Sequence, residues 1–219
     1  MTKPAKAKAR SDNTAKYERR RMEVLQAAAR TFNRLGFHIA TLDDVASELG
    51  VTKPAIYYYA KSKDELLADC GTLALDAFDT ALDKTVTPEH TGLERLATFF
   101  RFYTEIICQD FGRCLVLTEP RDLAPESRKI NLAGRRDLNL AIRTIVAEGI
   151  RDGSIRPCNE RAVANALFDA FNGIGRWFNP KGPATLDETI DQYLEIFLSG
   201  IAASDPPPTK SPSPQNARG

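Results

Sequence analysis

The chain has 219 residues, 42% hydrophobic and 27% charged, with a formal net charge of +1, a globular composition with enough apolar residues for one sizeable core or two small ones. No run of 18 apolar residues is present, so no membrane-spanning helix is expected; the basic N-terminus has no apolar stretch behind it, so no secretory signal is expected and a cytoplasmic location is. The near-neutral total hides an asymmetry: residues 1–65 carry 13 Lys/Arg against 8 Asp/Glu, a net of +5, and residues 66–219 carry 17 against 21, a net of −4. A basic head on an acidic body is the distribution expected when one end of a protein meets phosphate.

In chain order, Met1–Ser11 is rich in Lys and Ala and lacks periodicity. It reads as a disordered basic arm over 1–13, in which Lys3, Lys6, Lys8 and Arg10 either solubilise the end or touch DNA phosphate or minor groove. A first helix is expected from about Thr14 to Leu35, with Leu25, Ala28, Ala29 and Phe32 inward and Gly36 as its stop. Arg19, Arg20 and Arg21 extend the positive footprint or pair with Glu18 and Glu23. Leu42, Val45, Ala46 and Leu49 then recur at i, i+3, i+4 and i+7, one apolar helix face. Thr41 with Asp44 makes a capping-box start, and Gly50 ends the helix in the left-handed conformation. Thr52 can cap a second helix with Pro54 in its first turn, which makes a helix-turn-helix over 42–61. Ile56, Tyr59 and Ala60, with Val51, face the preceding helix, and Lys53, Tyr57 and Tyr58 point outward. Phenol hydroxyls donate to phosphate oxygens and the rings cover sugars and thymine methyls. Ser62 and Glu65 cap the next helix, with Lys63 in its first turn aimed near the same backbone. A plain helical hairpin with a tyrosine-rich core is the alternative.

That next helix runs to about Thr85 with Leu66, Leu67, Leu73, Leu75, Phe78 and Leu82 apolar, and Pro88 breaks it. Thr91 and Glu94 open another, with Leu96, Phe99, Phe100, Tyr103 and Ile107 on a broad apolar surface. Gly112, Pro120 and Pro125 restrict 111–128 to one or two short helices around Arg113–Glu119. A long helix from about Pro125 to Asp152 carries Leu138, Ile142, Ile145 and Val146 on one stripe and Arg136, Asn139 and Arg143 on another, with a bend expected at Gly134. Helices follow from about Asn159 to Phe178 and from Thr185 onward. Phe168, Phe171, Ile174, Trp177, Phe178, Tyr193, Phe197 and Leu198 exceed what one face needs and are read as a seam with a second copy or as monomer core. Residues 204–219 hold five prolines and read as a disordered tail. The fold class is all-α: a three-helix helix-turn-helix domain over 14–61, then a helical bundle of about six helices over 62–203, which the family resemblance given below implies to be a ligand-binding and dimerisation domain.

The four cysteines, Cys70, Cys108, Cys114 and Cys158, form no C-x-x-C pair, and His38 and His90 lie far from second ligands, so neither a metal nor another resident cofactor is expected. No nucleophile motif or clustered acid–base pair is present, which speaks against the alternative of a helical-bundle enzyme. An adaptor using the tyrosine helix as a protein-docking face is a third possibility, distinguished by salt-insensitive or absent DNA affinity.

Met22–Cys70 resembles the DNA-binding domain of the TetR family of bacterial transcriptional regulators, through Ala28–Ala29–Phe32, Gly36–Phe37, the Thr41-led helix, Gly50–Val51, and Ile56–Tyr57–Tyr58–Tyr59 with Lys63. Ala60 departs from the aromatic common there. The resemblance implies a homodimer on a near-palindromic double-stranded DNA operator, read with Thr41, Thr52, Lys53, Pro54, Ala55, Tyr57, Tyr58 and Lys63. Arg176–Trp177–Phe178–Asn179–Pro180–Lys181–Gly182–Pro183 and Glu148–Pro157 are similar to a TetR subgroup that senses acyl-CoA thioesters, although Asn179 stands where Arg is common. The effector implied is an acyl-CoA, with Arg113, Arg136, Arg143 and Arg176 as phosphate partners and Phe100, Tyr103, Asn139 and Trp177 around them. The expected activity is repression relieved by the effector; the alternative effector is another hydrophobic or aromatic small molecule.

Overall fold

Caps place the helices. In a computed structural model that describes the backbone of residues 4–86 and 89–199, and side chains from Asn13 onward, three Thr-x-x-acid sequences each close a reciprocal capping box. They start α2 (Leu42–Leu49) at Thr41, α5 (Gly92–Ile107) at Thr91 and α9 (Leu186–Leu194) at Thr185. The remaining helices are α1 (Pro4–Leu35), α3 (Lys53–Tyr57), α4 (Lys63–Asp83), α6 (Asp110–Leu117), α7 (Pro125–Asp152) and α8 (Glu160–Trp177). A 3-10 turn at Pro120–Asp122 precedes α7, and a π turn at Glu195–Ser199 extends α9. No strand occurs among the described residues.

α1 begins at Pro4 rather than Thr14, since the Ala/Lys run ahead of Thr14 has high helix propensity and continues the helix backward. The arm side chains Lys3, Lys6, Lys8 and Arg10, the break at Pro88 and the 204–219 tail lie outside the described residues. Ser62 caps α4 as expected, accepting from the Glu65 N–H at 3.2 Å. The Glu65 carboxylate instead accepts from the Lys61 N–H at 2.6 Å, so the box closes one residue earlier than its spacing suggests. Gly50 holds φ 69°, and its N–H reaches the Ala46 and Ser47 carbonyls, which stops α2 and turns the chain into α3.

Two buried cores form. The head core gathers Leu25, Ala28 and Phe32 of α1, Val45 of α2, Ile56 of α3, and Leu66, Leu67 and Cys70 of α4. The body core gathers Phe78 of α4, Phe99, Phe100 and Tyr103 of α5, Ile142 and Ile145 of α7, Phe171 and Ile174 of α8, and Ile190 of α9. Its aromatics interlock, with ring centroids 4.6 Å apart for Phe78–Tyr103 and 4.8 Å for Phe100–Phe171. Two helices serve both cores. α4 passes from Cys70 in the head to Ala74 in the body, and α6 turns Cys114 into the head core and Leu115 and Val116 into the body core. Because interiors are close-packed, a shift of either helix is felt on both sides.

Close backbone approaches set the body's geometry. A Cβ on Gly92 would stand 2.3 Å from the Gly149 nitrogen, so α5 and α7 meet almost without side chains between them. α7 runs as one helix through Gly134; a Cβ there would lie 2.7 Å from a Leu75 methyl, so this glycine lets α4 lie close to α7.

Candidate DNA-reading head and body cavity

The short α3 divides its side chains sharply. Ile56 is fully buried and Ala60 nearly so, while Tyr57 is 50% and Tyr58 71% exposed. Tyr58 is held, not loose. Its ring stands edge-on to Tyr59 at 5.0 Å and to Tyr17 of α1 at 5.8 Å, and Tyr17 also packs on Tyr59 at 5.3 Å. Tyr17, which no local pattern marked, thus ties the end of α3 to α1. Thr52 has the extended N-cap backbone, but its hydroxyl makes no capping bond and stays available beside the exposed Pro54. Ala55 is half-buried. Lys53 reaches Asp43 at 2.7 Å, and this hydrogen bond and charge push the ammonium pKa up. The Thr41 hydroxyl is taken up by its box, accepting from the Asp44 N–H at 3.2 Å and donating to the Asp44 carboxylate at 2.6 Å.

Lys63 departs from the expectation. Its ammonium donates to the carbonyls of Phe37 (2.9 Å), His38 (3.2 Å) and Ala40 (3.1 Å) and lies over the Phe37 ring at 4.7 Å. An ammonium has three N–H donors, so here all three are committed to the α1–α2 loop rather than offered to phosphate. Arg20 pairs with Glu23 and Arg21 with Asp69 at 2.7 Å, leaving Arg19 exposed without an ion pair among the described residues.

In the body a cavity of about 320 Å³ opens between α4, α5, α6, α7 and α8. Leu75, Phe78, Leu115, Val116, Leu138 and Phe168 give it apolar walls, and Tyr103, Arg135, Asn139, Asn165, Asp169 and Asn172 give it polar ones. The Tyr103 hydroxyl donates to Asn172 Oδ1 at 2.6 Å, and burial pushes the phenol pKa up, so it remains a neutral donor. Asn139 Nδ2 donates to Asn165 Oδ1 at 3.1 Å. Arg135 donates through Nε to Asn131 Oδ1 at 2.8 Å and through Nη2 to the Leu115 carbonyl at 2.7 Å; burial pulls its pKa down, against the pull of Tyr103 and Glu119.

Of the residues expected to line a ligand site, Tyr103 and Asn139 lie on the wall of this cavity. Phe100 is fully buried core beside Phe171, because its face of α5 is covered by α8. Arg136 is exposed one residue beyond Arg135, since neighbours on a helix diverge by about 100°. Arg143 is half-exposed on the same α7 flank. Arg176 donates to the Val116 carbonyl at 3.1 Å, and Arg113 lines a separate cleft of about 590 Å³ with Cys108, Phe178 and Leu186. Trp177 is 53% exposed, away from the cavity, with Tyr193 at 6.4 Å. The expected seam divides likewise: Phe171 and Ile174 are monomer core and Phe168 lines the cavity, while Trp177 and Phe197 stay exposed, joined by Ile196, which was not among the seam residues expected.

Cys70 and Cys114 are buried and Cys108 and Cys158 partly so. The contact with Cys114 and burial push the Cys70 thiol well up, and burial pushes Cys108 up to about 11, so both are protonated, poor nucleophiles. Among the described residues no group of three His, Cys, Asp or Glu could hold a metal, and no helix is long and apolar enough to cross a membrane.

Comparison with known proteins identifies the architecture. Residues 24–70 match the family of bacterial regulatory proteins, tetR family, and residues 89–201 match the tetracyclin repressor-like C-terminal domain. The HTH-type transcriptional repressor KstR2 of Mycolicibacterium smegmatis is 28% identical over 193 residues, covering 84% of this chain and 92% of that protein. The structure of the ketosteroid transcriptional regulator KstR2 of Mycobacterium tuberculosis superposes with a TM-score of 0.75 at 26% identity, over 82% of this chain and 93% of that one. AibR in complex with isovaleryl coenzyme A and operator DNA superposes with a TM-score of 0.73 at 20% identity, over 81% and 97%, a likeness of fold. The chain belongs to the TetR family of bacterial regulators, which are DNA-binding proteins and not enzymes.

Proposed function

We propose that this TetR-family chain is a dimeric transcriptional repressor that leaves its operator when an acyl-CoA thioester enters the body. In this reading residues 14–61 read DNA and residues 62–203 bind effector and pair the subunits. The observation that carries it is α3 with its C-cap: Ile56 is buried while Tyr57 and Tyr58 turn outward, Tyr58 packed on Tyr17 and Tyr59, beside an uncapped Thr52 hydroxyl. One such helix touches too few bases for specificity, whereas two, a DNA turn apart, read a near-palindrome. Trp177, Ile196 and Phe197, exposed at the ends of α8 and α9, supply the apolar surface for pairing. DNA contacts are assigned to Thr52, Pro54, Ala55, Tyr57 and Tyr58, with Lys53 freed from Asp43 as phosphate approaches.

For the effector, the acyl group is assigned to the cavity and the coenzyme A phosphates to its rim. Arg136 and Arg143 stand three residues before and four after Asn139, one turn to either side of a residue lining the mouth, and neither has an ion-pair partner among the described residues. The fold-level likeness to AibR, whose structure holds isovaleryl coenzyme A, supports an effector of this class. A second reading, a hydrophobic or aromatic effector without coenzyme A, is favoured by the cavity itself, in which Arg135 is the one cation among the described lining residues. A ligand useful as an inducer must favour the released state by about 1–3 kcal/mol.

The test uses an operator selected from random duplexes by the purified protein. Tyr57→Ala weakens binding in fluorescence anisotropy by about tenfold, near the value of one good base-region contact, while the dimer persists in size-exclusion chromatography. Octanoyl-CoA releases the wild type. Undiminished binding by the Tyr57 variant refutes the DNA face, and release by uncoupled aromatic acids alone selects the second reading.

A further inference from the structure

The last turn of α6 exposes carbonyls that its own helix cannot satisfy. Two of these are taken by other helices: Arg135 of α7 donates to Leu115 O at 2.7 Å and Arg176 of α8 to Val116 O at 3.1 Å, while Cys114 O keeps the helical bond from the Thr118 N–H at 3.1 Å and accepts the Thr118 hydroxyl as well, at 2.7 Å. The other end of α6 is held by the head: Asn33 of α1 donates to Asp110 O at 2.9 Å, and Arg30, which also pairs with Glu48 of α2 at 2.9 Å, lies 3.7 Å from the Asp110 carboxylate. α6 is therefore a rod gripped by the DNA-reading head at one end and by the body at the other, and one of the body's two arginine grips, Arg135, lines the cavity.

Asn172 Oδ1 is occupied by Tyr103 and Asn165 Oδ1 by Asn139, so both amides have their N–H₂ groups to offer. Arg135 commits Nε and Nη2 and keeps Nη1 without a partner among the described residues. Donors from α7 and α8 thus line the cavity together with the apolar Phe78, Leu138 and Phe168, and Asp169 is the single carboxylate among the described lining residues. We propose that the cavity takes a ligand oxygen, of a carbonyl or a carboxylate, on Arg135, Asn165 and Asn172, and that this oxygen draws Arg135 off the Leu115 carbonyl and so loosens the body's hold on α6. The inference rests on the reading of this cavity as the effector site. It gives the ligand its polar feature and makes Arg135 both a binding residue and the positioning residue of α6. A guanidinium can serve a carbonyl and a ligand oxygen only while its fork reaches both, so a charged or strongly polarised oxygen competes with the weaker neutral acceptor.

The experiment compares wild type with Arg135→Met, which keeps the stem and removes every donor, and Arg135→Lys, which keeps one cationic donor without the fork. Octanoyl-CoA and sodium octanoate are titrated calorimetrically, and operator affinity is read by anisotropy with and without each. The expected result for Arg135→Met is a dimer whose ligand-free operator affinity falls about tenfold and whose ligand affinity falls by a similar factor, with Arg135→Lys recovering part of both. Binding of octanoyl-CoA but not octanoate assigns the oxygen to a thioester carbonyl, and the reverse assigns it to a carboxylate. Ligand and operator affinities within twofold of wild type in Arg135→Met overturn the proposal while leaving the effector reading intact. If wild type takes up neither probe, the acyl-CoA reading fails, and the grip on α6 is judged on ligand-free operator binding alone, where an unchanged Arg135→Met overturns it. Should Arg135→Met not fold, Asn165→Ala at the exposed mouth decides: a severalfold loss of ligand affinity supports the donor wall, and unchanged affinity overturns it.

Discussion

Replacing Lys63 separates two roles that the same residue could play in such a head. In the structure its ammonium closes the α1–α2 loop through three carbonyls at 2.9–3.2 Å and covers the Phe37 ring. Lys63→Met keeps the methylene stem over Phe37 and deletes the donors. A hydrogen bond from a charged donor contributes about 1.5–3 kcal/mol when buried, but this site is only half-buried and water can replace much of each bond. A net loss of about 2 kcal/mol follows, to which the lost cation–π contact adds about 0.5 kcal/mol. For a chain of this size that lowers the melting temperature by roughly 5–10 °C. Circular dichroism melts check this directly. The salt dependence of operator affinity supplies the discriminating measurement, because removing a true phosphate contact lowers the log–log slope by about 0.9. A melting temperature unchanged to within about 1 °C, together with a slope reduced by that amount, would refute the assignment and return Lys63 to the DNA face.

Three further outcomes are expected. Gly92→Ala pushes a methyl onto the Gly149 backbone, which cannot rotate away, and costs about 3 kcal/mol as α5 and α7 are forced apart; an urea midpoint equal to wild type would contradict the close crossing. Phe197→Glu, on a side chain exposed in the monomer, places a charge in the pairing surface and gives a monomer in sedimentation velocity that melts below the wild-type dimer; a dimer that survives places the pairing surface elsewhere. Asp44, Glu94 and Glu188 are held below the usual carboxylate range, Asp44 chiefly by the Thr41 hydroxyl, and Glu94 and Glu188 chiefly by the backbone N–H groups of Thr91 and Thr185. Since these folded-state values are depressed, their stabilisation is fully present above the unfolded values of about 4 and is lost as pH falls through the folded ones. The Asp44→Asn, Glu94→Gln, Glu188→Gln triple variant therefore shows a flatter decline of melting temperature below about pH 5; a decline parallel to wild type would show that other carboxylates govern acid unfolding.

What was legible in the sequence was local chemistry. A threonine followed three residues later by an acid can satisfy two orphan helix donors without help from the rest of the chain, and all three such starts close as their spacing predicts. Gly50 and the division of α3 into a buried Ile56 and exposed Tyr57 and Tyr58 were readable for the same reason. Lys63 was not, because its three acceptors lie 23 to 26 residues away on a loop whose path depends on how α1 and α4 pack. Tyr17 escaped similarly. Its position on α1 looks solvent-facing until Tyr58 and Tyr59 are brought against it by tertiary packing.

The body cavity shows where periodicity was informative but answered to the wrong question. Polar side chains on α7 were sought on a face apart from the apolar stripe, which selected Arg136, Asn139 and Arg143. Yet Asn131, Arg135, Leu138 and Ile142 fall at i, i+4, i+7 and i+11, a single face, and the structure turns that face inward along its length. An arginine and an asparagine continuing an apolar stripe are costly to bury, so they persist there only with partners, and they found them in one another and in the Leu115 carbonyl. Had the stripe been extended toward the N-terminus of α7 instead of ended at Leu138, its first polar member would have been the cavity's only cation among the described lining residues. The general reading is that a polar residue in register with a hydrophobic face carries more functional information than several arginines out of register with it, because burial forces it to bond something specific and that bond is what a ligand can take over.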